Sequence, residues 1–178
     1  PGSGIAEELT YDENYHSSPD WSPGGKWLAY TADDGGQTIQ LEILNVETGE
    51  SHALTDDEHI YADPVFSPDS NRLAYVSTKP NGYFNIYIRE ILSFGEWDMH
   101  VTPEWTHDGR QLLIVSNRGV PLGSGNIWRI AASPDAMEEA ISVLDEQTLY
   151  RARPDVSIDG KRFVYSSTGG SSDQYSNL

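Results

Sequence analysis

The chain has 178 residues, 37% of them hydrophobic, with five Trp and ten Tyr, enough to build the core of a globular domain. Its 11 Lys and Arg stand against 28 Asp and Glu for a formal net charge of −17, which repels nucleic acid and anionic membrane surfaces and excludes both as partners. No apolar run approaches the roughly 18 residues of a membrane span, the N-terminus has neither the basic start nor the apolar stretch of a signal peptide, and the absence of cysteine excludes disulfides and thiolate metal sites.

Taken in chain order, Pro1-Gly2-Ser3-Gly4 reads as an expression scar or linker, leaving residues 5–178 as a single domain. Ala6 to Thr10 reads as an outer strand with no unit of its own. The first repeated segment, PDWSPGGKWLAY (19–30), is a strand ending at Trp21, a tight turn at Pro23-Gly24-Gly25, and a second strand with alternating apolar positions. An alternating strand Ile39 to Ile43 follows, then a turn at Thr48-Gly49-Glu50 and a stretch closing at Leu54-Thr55, so one unit has four strands.

The pattern returns as PVFSPDSNRLAY (64–75), PEWTHDGRQLLI (103–114) and PDVSIDGKRFVY (154–165). Spacings of 45, 39 and 51 residues carry a fixed aromatic or Val position: Trp21, Phe66, Trp105, Val156. A Leu lies ten residues before the repeat proline in three copies: Leu9, Leu54 and Leu144. Between Ser133 and Leu144 two readings compete, a helix capped by Ser133 with Pro134 in its first turn, or an outer strand at Ile141 to Leu144, and the register favours the strand. The second unit is short, so either its outer strand is deleted or loop residues between Ile88 and Trp97 are absent from the chain; the second is favoured, since an unfinished sheet exposes an edge. The fold predicted is all-β, a β-propeller of about four four-stranded antiparallel blades, with Trp21, Phe66 and Trp105 buried between blades. A two-layer sandwich is the alternative, but it does not require repeated register.

These segments resemble the TolB-like (WD40-like) propeller repeats, whose blades carry a P-x-W-S-P-D-G-x-x-[LI]-A-[YF] core. PNGYFNIYI (Pro80 to Ile88), FGEWDMH (Phe94 to His100), SNRG (Ser116 to Gly119), GSGNIWRI (Gly123 to Ile130) and ARPD (Ala152 to Asp155) are similar to the propeller that precedes amidohydrolase domains in large bacterial proteins. The turns depart from the pattern at Gly24 in place of Asp, Ser70 in place of Gly, and His107 and Ile158 in place of Pro. The resemblance implies a periplasmic or secreted protein that binds protein partners. It also implies six or more blades, so four cores make a partial propeller. An open edge would then pair with a second copy of the chain, as a homodimer, or be closed by the strand around Leu9.

Candidate site residues lie three positions before each repeat proline: His16, Tyr61, His100 and Arg151, where first strands start near the mouth of a propeller's central channel. Capped strand ends on a solvated face are the competing explanation. His16 and His100 carry metal-ligating imidazoles on separate units without a third ligand, and no metal or other cofactor is assigned. Asp98 and His100 are spaced as a pair on one strand face and read as structural. Asp33-Asp34-Gly35 and Asp56-Asp57-Glu58 lack calcium-loop spacing and read as solvated turns; the Gly119 to Gly125 stretch lacks the context of a phosphate cradle. No nucleophile elbow or HExxH motif occurs, so no catalytic residue is assigned. The function expected is a non-enzymatic protein- or peptide-binding scaffold, with a partner bearing a basic face. It stands alone or serves as the accessory propeller of a larger amidohydrolase-type protein. The alternative is a metal-dependent propeller lyase or hydrolase working through a His-lined central channel.

Overall fold

A computed structural model describes residues 6, 8–79, 81–88, 90–91, 100–118, 125–133, 139–143, 150–168 and 176–177. Among them every regular element is a β-strand. The first sheet runs in order β1 (Tyr15–Trp21), β2 (Trp27–Asp33), β3 (Gln40–Asn45) and β4 (Glu50–Ala53). The second holds β5 (Tyr61–Phe66), β6 (Leu73–Ser77), β7 (Asn85–Ile88) and β8 (Glu90–Ile91). The third holds β9 (His100–Trp105), β10 (Gln111–Ser116), β11 (Asn126–Ala131) and β12 (Ile141–Ser142), and the fourth β13 (Tyr150–Val156), β14 (Phe163–Thr168) and β15 (Ser176–Asn177). Each sheet is an antiparallel meander, the form a blade takes.

The four repeat segments become the hairpins β1–β2, β5–β6, β9–β10 and β13–β14, closed by one turn used four times. The carbonyls of Ser22, Ser67, Thr106 and Ser157 accept the N–H three residues on, at 2.7–2.8 Å. That third residue has positive φ in every copy: Gly25 (71°), Ser70 (60°), Gly109 (67°) and Gly160 (66°). Ser70 is the one side chain carried in a conformation that glycine tolerates without cost. In three turns the Ser or Thr hydroxyl donates to an Asp two residues on, namely Ser67 to Asp69 (2.5 Å), Thr106 to Asp108 (2.7 Å) and Ser157 to Asp159 (2.6 Å). The same carboxylates accept the N–H of Asn71, Arg110 and Lys161, and these donors hold all three acids below the usual carboxylate range. Gly24 occupies the corresponding place in the first turn and supplies no acceptor.

Each sheet packs its face on the next in the chain: the first on β5, the second on β9, the third on β13. The largest apolar cluster joins Ala74, Val76, Ile86 and Ile88 of the second blade to Trp105, Leu112, Ile114 and Ile130 of the third. Side-chain bonds cross the same seams. Asp20 accepts the N–H of Phe66 at 2.7 Å, Trp105 donates its indole N–H to the Val65 carbonyl at 3.2 Å, and Arg72 donates to the Gly109 carbonyl at 2.7 Å.

Three expectations need correction or refinement. Trp105 is buried (4% exposed) and Phe66 half-buried, but Trp21 is 49% exposed. The repeat aromatic faces the preceding blade, and among the described residues nothing precedes the first blade to cover Trp21. The second blade does have an outer strand, since β8 pairs with β7 (Tyr87 with Ile91, Ile88 with Glu90), so that strand is not deleted; residues 92–99, where the sequence suggests a missing loop, lie outside the described residues. Residues 8–11 form no strand; Leu9 packs instead on the apolar cluster of the first blade, Leu28, Tyr30, Ala32 and Leu44. Ile141 and Ser142 do pair with β11 as a strand, whereas Leu144, residues 134–138, Asp98 and most of the Gly119 to Gly125 stretch lie outside the described residues, as do Pro1 to Gly4.

Candidate functional site

The first strand of every blade carries a β-bulge at the same place, where two residues of that strand oppose one of its neighbour: after Ser17, Ala62, Val101 and Ala152. The first bulged residue sits in the left-handed region in each: Ser18 (φ 49°), Asp63 (47°), Thr102 (49°) and Arg153 (51°). Left-handed backbone at a residue with a Cβ costs about 1–2 kcal/mol. Four such residues at one repeat position are held by the sheets around them, and strain of this kind gathers at functional places. The repeat proline comes next and cannot donate to the ladder.

These bulges meet around a cavity of about 170 Å³ lined from all four blades, by the left-handed residue, the repeat proline and, in the first three blades, the residue after it. Its charged groups are Asp20, Asp63, Glu104 and Arg153. Ser18 donates to Asp63 across the first seam at 3.2 Å. Burial pushes the Asp20 carboxyl up, against the pull of the Phe66 and Trp21 N–H groups. Burial, with the nearby charges of Asp155 and Asp20, pushes Glu104 up to about 8. Glu104 is therefore mostly protonated at neutral pH, and a cation arriving at the mouth favours its ionised form and expels the proton. Three carboxyls line the cavity against the single guanidinium of Arg153, so its ionisable groups are acidic in excess.

The residues singled out from the sequence occupy equivalent places in the first strands, paired with Ala32, Ser77, Ser116 and Ser167 respectively. His16 turns toward Thr10 and Tyr30: its Nδ1 is 3.0 Å from Thr10 Oγ1 and its ring meets Tyr30 edge-on at 5.0 Å. Tyr61 is buried, donating its hydroxyl to Asp57 at 2.9 Å beside the Asp57–Lys79 ion pair, with Lys79 5.6 Å over its ring. Although burial opposes it, hydrogen bonds from Lys79, Tyr61 and His59 hold Asp57 far below the usual range. The side chains of His100 and Arg151 lie outside the described residues. The cavity itself is lined by other residues, those one before and one after the repeat proline. Their signal was in the sequence: Asp20, Glu104 and Asp155 follow the proline in three of the four copies. Asp33 and Asp34 act as turn acceptors, taking the N–H groups of Gly35 and Gly36 at 2.8 and 2.9 Å.

A wider cleft of about 590 Å³ opens between the third and fourth blades, where Arg129, Lys161 and Arg162 rim Leu113, Val156 and Phe163. It lacks the fourfold repetition of the cavity at the bulges.

A family model described as the TolB beta propeller domain matches residues 4–177. Among solved structures, TolB from Acinetobacter baumannii superimposes with a TM-score of 0.75 at 21% identity over 94% of this chain and 41% of that one. A putative TolB from Agrobacterium tumefaciens gives 0.71 at 16% identity over 90% and 56%. A puromycin-hydrolyzing peptidase from Mycobacterium tuberculosis gives 0.69 at 17% identity over 92% and 27%. The chain thus spans about half or less of the length of these proteins. Among curated proteins no sequence relative is found.

Proposed function

The chain belongs to the TolB β-propeller family, and from that premise we propose that it is a non-enzymatic binding scaffold whose channel mouth receives a basic segment of a protein or peptide partner. The observation that carries this is the convergence of Asp20, Asp63 and Glu104 on one cavity against the single guanidinium of Arg153, with Glu104 pushed up to about 8 by burial and by its acidic neighbours. Carboxyls crowded in a partly desolvated pocket gain most when a guanidinium, ammonium or N-terminal amine enters. Membership in the family supports a periplasmic or secreted workplace. The role is the same whether the propeller acts alone or as the accessory half of a larger hydrolase, since the pocket supplies recognition and any chemistry would come from elsewhere.

Fluorescence anisotropy with labelled Lys/Arg-rich and Asp/Glu-rich peptides of equal length tests the proposal. The basic peptide should bind, more weakly as salt rises, and Asp20→Asn with Glu104→Gln should remove most of that binding. Equal binding of the acidic peptide, or no effect of the double substitution, would overturn it.

A further inference from the structure

Outside the cavity at the bulges, Asp12, His16 and Glu42 bring three ligand atoms within 4.8 Å of one another. They come from separate places: Asp12 from the segment before β1, His16 from β1, and Glu42 from β3. The imidazole is fixed on two sides by Thr10 at Nδ1 and the Tyr30 ring. In the tautomer that donates Nδ1–H to the Thr10 hydroxyl, Nε2 faces the carboxylates with its lone pair. It is shut off from water, lies 3.3 Å from Asp12 Oδ1, and makes no aligned hydrogen bond. Glu42 is oriented in turn by the Tyr30 hydroxyl, which donates to its Oε2 at 2.8 Å.

Asp12 Oδ1 accepts the N–H of Asn14 at 2.9 Å. A buried nitrogen facing two carboxylates, each ligand held by an outer partner, is the donor set of a borderline divalent cation. Zinc bonds of about 2.0–2.1 Å to nitrogen and oxygen place tetrahedral ligands about 3.3–3.4 Å apart. The 3.3 Å between His16 Nε2 and Asp12 Oδ1 falls in that range, and the Glu42 oxygen lies within 4.8 Å of both. We propose that Asp12, His16 and Glu42 form a zinc site, with water as the fourth ligand, that ties the segment before β1 to β3. That segment carries Leu9 onto the apolar cluster of the first blade, so the ion would fasten the cover of that face.

Isothermal titration of the chelator-treated chain with zinc chloride should give one saturable site. His16→Ala or Glu42→Gln should abolish it, and Tyr30→Phe, which removes only the orienting hydroxyl, should weaken it about tenfold. Cobalt(II) in place of zinc should give the absorption of a tetrahedral oxygen and nitrogen site, a readout that needs no variant. Zinc should also slow proteolysis within residues 8–14. Absence of saturable binding, an octahedral cobalt spectrum, or binding unchanged in His16→Ala and lost in His59→Ala would each overturn the assignment.

Discussion

Trp21 and Trp105 hold the same position in the repeat and opposite environments, so truncating each to Ala separates burial from sequence similarity. Trp105 is 4% exposed among Ala74, Val76, Ile86 and Ile88 of the preceding blade, donates to the Val65 carbonyl, and lies under the Arg72 guanidinium at 4.6 Å. Removing a buried Trp costs about 3–5 kcal/mol, a large share of the roughly 5–15 kcal/mol that stabilises a domain. Trp21, half exposed, loses little packing on truncation, and its cost should stay near 1 kcal/mol or below. With a urea slope of about 1–3 kcal/mol/M, Trp105→Ala should lower the unfolding midpoint by about 1 M or more and Trp21→Ala by much less. Urea titration followed by circular dichroism measures both. A Trp105→Ala loss below about 1 kcal/mol, or a Trp21→Ala loss equal to it, would refute the blade order described above.

Burial pushes the Glu104 carboxyl from its ordinary 4.5 up to about 8, so between those values the unfolded chain releases a proton that the folded chain keeps, and stability falls as pH rises. Glu104→Gln should flatten that decline in thermal melts from pH 5 to 8; an unchanged slope would show that Glu104 ionises normally. Ser70→Gly places glycine where φ is 60°, matching the other three turns, and should stabilise by up to about 1 kcal/mol in the same urea assay. Gly24→Asp restores the acceptor that the other turns use, in open space for a Cβ, and should raise the melting temperature; a fall would mean the Ser22 hydroxyl cannot reach it.

The hairpins were legible because turn chemistry and alternation act over a few residues and recur. Even the departures at Ser70 and Gly24 correspond to identifiable losses, a left-handed serine and a missing carboxylate. What surrounds each hairpin was not legible. The same local pattern gave a buried Trp105 and an exposed Trp21, because burial depends on whether a blade stands in front. The cavity lining was obscured for another reason. A bulge after Ser17, Ala62, Val101 and Ala152 breaks the alternation of faces, and period-two counting passes straight over it. Glu42 and Asp12 could not be joined to His16 by spacing, since only strand pairing and the path of the preceding segment bring them together.

Since each sheet packs only on its immediate neighbours among the described strands, these four sheets should act as a row of coupled units. The second and third blades each have two partners and share the largest apolar cluster, so their amides should exchange last. Among the described strands the first and fourth sheets each pack on one neighbour, so their amides should exchange sooner than those of the middle two. A lesion at one seam would then divide the unfolding transition into steps instead of lowering it as a whole.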